Sequence, residues 1–218
     1  MIRRVTGIYY SPVGGRSKKT ERLARRIGKL LSDSSSEEIS VECCDLLRDD
    51  LSGMTIDDET IVVIGMPVYV GKIPLPAIEA IEQISGNGAM TVAAVSYGGR
   101  SYGNALFELK TIAEDLGFKL VGAGAFLISY MAIRGSSNSM NPSLDLDSMG
   151  DFSRAVSDKI KRLSGTEIEE FRMKPAPVEV NGRMPVHKIS RLSPRAAEIA
   201  QKVFERISLV RRSSEWFL

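Results

Sequence analysis

Thr60-Ile61-Val62-Val63-Ile64-Gly65-Met66 is an unbroken apolar run, and Met90 to Val95 is a second. A strand with one face in water alternates apolar and polar residues, whereas a strand apolar at every position is buried on both faces. That happens in a parallel sheet covered by helices on either side. The rest of the chain supplies the strands and helices such a sheet needs. Val5 to Tyr10 reads as a first strand, ending where Pro12 holds Ser11 extended. Leu23, Ile27, Leu30 and Leu31 then recur at helical spacing until the polar run Ser32 to Ser36. Ile39 to Cys44 alternates and predicts a strand near a sheet edge.

Ile78, Ile81 and Ile84 mark a short helix that Pro76 can start. Ala105, Leu106, Leu109, Ile112, Ala113 and Leu116 mark a longer one, with Gly117 as its stop. Lys119 to Ile128 is the fifth strand, where Gly122 and Gly124 thin one face. Arg134 to Ser148 reads as a polar loop before a helix carrying Phe152, Ala155, Val156, Ile160 and Leu163. Five strands alternating with helices predict an α/β, doubly wound, three-layer sheet.

From Gly165 the composition changes, so the sequence divides into residues 1–165 and an extension, 166–218. Met173 to Gly182 is proline-bearing and extended, a strap rather than a core segment. Ser193-Pro194 caps a last predicted helix whose stripe of Ala197, Ala200, Val203, Phe204 and Ile207 must pack on the main domain, on a partner, or on a second copy in a homodimer.

Charge and cysteine content exclude several function classes. The 218 residues hold 29 Lys and Arg against 27 Asp and Glu, so a net charge of +2 gives no electrostatic argument for nucleic acid or a membrane surface. The local excess of cations from Arg16 to Lys29 reads as a solvated helix face. No apolar run approaches the roughly 18 residues that a membrane span needs. No secretory signal is evident at Met1 to Arg4, and Cys43-Cys44 are adjacent, too close to close readily as a disulfide, so a reducing, cytoplasmic setting is expected. Two cysteines cannot ligate an iron–sulfur cluster from this chain alone. His187 is the sole histidine, which disfavours a His-based triad or metal site, and Asp145 and Asp147 read as a solvated acidic pair.

Three loops stand at the predicted carboxyl ends of strands, where open parallel sheets bind ligands: Ser11 to Ser17, Pro67 to Lys72, and Ser96 to Tyr102. The first precedes a helix, whose leading N–H groups and dipole favour an anion; Ser11, Gly14, Gly15 and Ser17 supply donors and close backbone approach. The other two carry Tyr69, Tyr97 and Tyr102, flat side chains suited to an aromatic ring system. A phosphorylated ligand with a ring fits that pattern. A receiver domain would need acids where Tyr10-Ser11 and Met66-Pro67 stand, and Arg16-Ser17 does not complete a P-loop.

Tyr10 to Gly15 followed by a helix resembles the FMN phosphate loop of flavodoxin-like proteins, and the two tyrosine loops resemble their ring-binding loops. The combination is most similar to the flavodoxin half of a prokaryotic group that fuses this domain to a two-cluster ferredoxin, whose cysteine motifs are absent here. The resemblance covers roughly residues 3–165, and Lys174 to Ile189 looks like that group's linker. It implies strand order 2-1-3-4-5 and noncovalent FMN as cofactor. The site would comprise Ser11, Pro12, Val13, Gly14, Gly15, Arg16 and Ser17 at the phosphate. Pro67, Val68, Tyr69, Val70 and Gly71, with Ser96, Tyr97, Gly98, Gly99 and Tyr102, would flank the ring. Val13 and Arg16 depart from the family's usual threonines. The implied role is electron transfer with a redox protein partner, a ferredoxin or a reductase. Two alternatives stand beside it: an FMN-dependent reductase of a quinone or other small acceptor, and a cofactor-free interaction module.

Overall fold

A computed structural model of the chain describes residues 2–12, 18–35, 39–98, 101–132, 140–163, 166–182 and 215–218. Strand β1 (Arg4–Tyr9) leads to helix α1 (Lys19–Asp33), edge strand β2 (Ser40–Asp45) and β3 (Thr60–Pro67). Then follow α2 (Leu75–Ile81), β4 (Met90–Tyr97), α3 (Ala105–Asp115) and β5 (Lys119–Ala132). The chain continues through β6 (Met140–Leu144), α4 (Leu146–Arg162), α5 (Thr166–Met173) and β7 (Glu215–Phe217). The five parallel strands lie in the order β2-β1-β3-β4-β5.

Every residue of β3 and β4 is buried. Their side chains alternate between two cores. Ile61, Val63, Met90, Val92 and Ala94 point to one, under Leu23, Ala24 and Ile27 of α1 and Met149, Phe152 and Val156 of α4. Val62, Ile64, Met66, Ala93 and Val95 point to the other, under α2 and under Leu106, Leu109 and Ile112 of α3. The two glycines of β5 make room for α4 and for a ring of the strand itself. A Cβ on Gly122 would stand 2.9 Å from Val156 Cγ2, and one on Gly124 would meet the Phe126 ring at 2.7 Å.

Three expectations need correction. Strand β5 runs past Ile128 to Ala132, and part of the expected Arg134–Ser148 loop is β6, which pairs antiparallel with Ile128–Ala132. Helix α4 also begins earlier than expected, at Leu146, because the Asp145 carboxylate caps it by accepting from Ser148 N–H at 3.1 Å. The region after Gly165 is not extended throughout, since α5 occupies Thr166–Met173. Phe171 is buried in the α1–α4 core and the Arg172 guanidinium pairs with Asp58 at 2.9 Å, so one apolar contact and one ion pair dock it.

Residues 174–182 have no helix or strand, yet Val178 and Val180 are buried on the α2–α3 face. The strap therefore passes from one face of the sheet to the other. The predicted helix after Ser193-Pro194 lies outside the described residues. Strand β7 was not expected; it pairs antiparallel with Ala123–Ala125 on the free edge of β5. Cys43 and Cys44 are free, half-buried strand residues on β2. No helix among the described residues is long and apolar enough to cross a membrane, and no cluster of potential metal ligands occurs among them.

Phe152 is fully buried, meets Phe126 edge-on at 5.4 Å, and lies 6.0 Å from the Trp216 ring, so it joins α4, β5 and β7. Phe152→Ala is expected to cost about 3–5 kcal/mol, read as a lowered urea midpoint with unchanged slope.

Candidate functional site

The carboxyl ends of β1, β3 and β4 converge beside the first turn of α1. Gly65 sets that distance, because a Cβ there would stand 3.1 Å from Ala24 Cβ and 3.3 Å from the Thr20 carbonyl oxygen. Thr20, buried in the first turn, lies with its hydroxyl 3.4 Å from the Ser96 hydroxyl at the end of β4. The N-cap position of α1, Lys18, makes no side-chain capping bond. A helix start held at the ends of central strands has the polarity and the donors to receive an anion.

Ser11 and Pro12 are half-buried just beyond β1. Val13, Gly14, Gly15, Arg16 and Ser17, the remainder of the expected phosphate loop, lie outside the described residues, as does Gly99 of the third loop. Pro67 and Val68 are buried, with Val68 N–H donating to the Ser96 carbonyl at 3.0 Å. The chain then turns in a tight hairpin. Tyr69 N–H donates to the Lys72 carbonyl at 2.9 Å, and Lys72 N–H to that of Tyr69 at 3.2 Å. The two central residues, Val70 and Gly71, have φ of 53° and 75°.

Both positions therefore lie in the left-handed region, where glycine or asparagine is at ease and a β-branched residue is strained. Val70 keeps this conformation while 41% exposed, and Tyr69 beside it is half-buried. This is a strained apolar tip at the carboxyl end of a central strand, and local strain of this kind persists where the surrounding structure enforces it.

The hairpin rests on the start of α3. Asn104 N–H donates to the Gly71 carbonyl at 2.9 Å, and a Cβ on Gly103 would stand 2.7 Å from both Cα and O of Gly71. Ile73 N–H donates at 2.8 Å to Oε2 of Glu108, which is fully buried. Burial raises the Glu108 pKa to about 7, against the lowering effects of the Ile73 N–H and the Lys72 ammonium.

Tyr97 and Tyr102 occupy different surroundings from Tyr69. Both are buried in the α2–α3 core, their rings 5.6 Å apart in an edge-on pair. The Tyr102 hydroxyl donates to the Glu215 carboxylate at 2.6 Å, so β7 ties directly to the third loop, and burial with that carboxylate raises the Tyr102 pKa. Ser96 and Gly98 are buried at the end of β4. Ser11, Pro12, Tyr69, Val70 and Gly71 are thus the expected site residues that keep accessible surface among those described.

The predicted site residues omit Gly65, Glu108 and Gly103. Glu108 was detectable as an acid three residues after Ala105 and four before Ile112, on the apolar stripe of its helix. Gly103 and Glu215 depend on contacts between distant segments, which no local pattern announces.

Strand order and crossovers decide the architecture. The fold is flavodoxin-like. A flavodoxin from the domain Archaea superposes with a TM-score of 0.50 at 17% identity, over 73% of this chain and 98% of that one. Flavodoxin from Megasphaera elsdenii gives 0.46 at 18% identity, over 71% and 98%. The apo form of the NADH:FMN oxidoreductase EmoB gives 0.44 at 15% identity, over 78% and 89%. No family model and no curated protein matches the sequence.

Two measurements test this description. Val70→Asn should relieve the hairpin and raise stability by about 1 kcal/mol, seen as a higher melting temperature. Between the ordinary carboxyl pKa of 4.5 and about 7, the folded chain holds a Glu108 proton that the unfolded chain has released. Stability should therefore fall as pH rises through that interval, by about 2–3 kcal/mol from this group. Glu108→Gln should remove that component from denaturant midpoints measured across the interval.

Proposed function

We propose that the chain binds FMN noncovalently and serves in electron transfer. The observation that carries this reading is the first turn of α1, fixed by Gly65 and Thr20 beside the Tyr69–Lys72 hairpin. The residues present fit the group. Helix N–H groups and the hydroxyl-bearing and glycine residues of the Ser11–Ser17 segment suit a phosphate, while a half-buried tyrosine and an exposed valine offer an apolar side to a ring.

In this reading Ser11, Pro12 and the segment from Val13 to Ser17 hold the phosphate, with Arg16 adding a charge-assisted contact. Tyr69 and Val70 lie against the ring, and the backbone of Gly71, Gly98 and Gly99 lines its edge. Tyr97 and Tyr102 act from behind, as the buried support of the third loop. Bound FMN supplies the redox chemistry, and the protein positions it and sets its potential.

The flavodoxin–ferredoxin kinship remains a proposal carried by the loop sequences, with the electron partner a separate ferredoxin or reductase. A reductase acting on a quinone or other small acceptor is the second reading. It is favoured by the charge balance of +2, since flavodoxin carriers are characteristically acidic. Steady-state NAD(P)H or quinone turnover by the reconstituted protein separates it from a carrier.

Reconstitution of the purified chain with excess FMN should give a flavin visible spectrum that persists through gel filtration. Loss of all flavin would sink both redox readings and leave the interaction module. Gly14→Val should weaken FMN at least about tenfold more than riboflavin, a difference of about 1.4 kcal/mol, in parallel titrations. Equal losses would remove the phosphate from the first loop.

A further inference from the structure

We propose that Glu108 is the positioning residue of the Tyr69–Lys72 hairpin, fixing through the Ile73 N–H the loop that flanks the ring. The proposal deepens the FMN reading and rests on it for the ligand, but its geometric content concerns the chain alone.

The two bonds between Tyr69 and Lys72 close the turn without fixing where the turn stands. Its position is set by contacts outside it. Val68 N–H on the Ser96 carbonyl fixes the entry, the Gly71–Gly103 contact and Asn104 N–H fix the tip, and Glu108 takes the exit at Ile73. The last two attachments both come from the start of α3, so this helix carries the hairpin.

Glu108 occupies a position on α3 where an apolar side chain would be buried without penalty. Its neighbours on the stripe, Ala105, Leu109 and Ile112, are all core residues. A fully buried carboxyl is costly unless it is hydrogen-bonded, and a carboxylate accepting from a backbone N–H forms one of the stronger hydrogen bonds available. The Ile73 N–H immediately precedes Pro74, the N-cap of α2, so the bond also fixes the transition from hairpin to helix. Among the described residues, the Lys72 ammonium of the hairpin acts on Glu108 and favours the ionised acceptor. Burial outweighs that attraction, so the folded hairpin favours the protonated carboxyl up to about pH 7, and opening that exposes Glu108 to water becomes easier as pH rises.

The test uses the full chain. In the FMN-free protein, amide exchange over residues 69–75 is compared among wild type, Glu108→Gln and Glu108→Ala. Glutamine retains an oxygen for the Ile73 N–H and should keep the hairpin protected, whereas alanine should accelerate exchange there by about tenfold or more, the loss of one buried hydrogen bond. Unchanged protection in Glu108→Ala would overturn the proposal.

After correction for the intrinsic pH dependence of exchange, wild-type protection should fall as pH rises toward about 7. Glu108→Gln should show a flat profile, and identical profiles would also overturn the proposal, a comparison that stands even if Glu108→Ala does not fold. Equilibrium titrations then address the ligand. Glu108→Ala should weaken FMN and riboflavin by the same factor, with Glu108→Gln restoring both. A loss confined to FMN would count against a ring-side role. If wild type binds neither flavin, the FMN reading fails while the exchange comparison still decides what Glu108 does.

Discussion

Burial of β3 and β4 on both faces is the constraint from which the rest follows. The apolar side chains of each strand alternate between two cores, one beneath α1 and α4 and one beneath α2 and α3. Neither strand has a face left for ligand chemistry, so the site must form where these strands stop. Their carboxyl ends meet the start of α1, and Gly65 allows that meeting because a side chain there would strike Ala24 and the Thr20 backbone. The same absence of a side chain that closes the core opens the site above it.

Much of this was legible in the sequence because it is written in local periodicity. The doubly apolar runs, the stripes of α1 and α3 and the alternation of β2 each reflect one element meeting a large, uniform environment. The antiparallel strands were not legible. Residues 140–144 are interrupted by Pro142, and Glu215–Phe217 is three residues long, so neither carries the alternation of a longer strand. Both exist because β5 offers an edge to pair with, a fact about a different part of the chain. Helix α5 was missed for a related reason, since it is docked by Phe171 and the Arg172–Asp58 pair rather than by a long stripe.

The candidate site divides along the same line. Tyr69 and its loop stood out because proline and glycine punctuate the sequence around them. Tyr97 and Tyr102 stood out equally, yet an aromatic residue in a glycine-rich loop has the same appearance whether it faces a ligand or its own core. Here the two pack against each other, and Glu215 accepts the Tyr102 hydroxyl. Glu108 shows the opposite error. One acid on an apolar stripe looks like noise until the Ile73 N–H is found at its oxygen.

The outer margin of β5 is divided between two short strands, β7 at Ala123–Ala125 and β6 at Ile128–Ala132. At the opposite margin, β2 pairs among the described residues with β1 alone and presents exposed Ser40 and Glu42. The sheet is therefore polarised as a surface for growth. A strand from another molecule must displace native pairing to join at β5, whereas at β2 it meets polar and charged side chains that discourage stacking. Both margins are defended by different means, one by occupation and the other by composition.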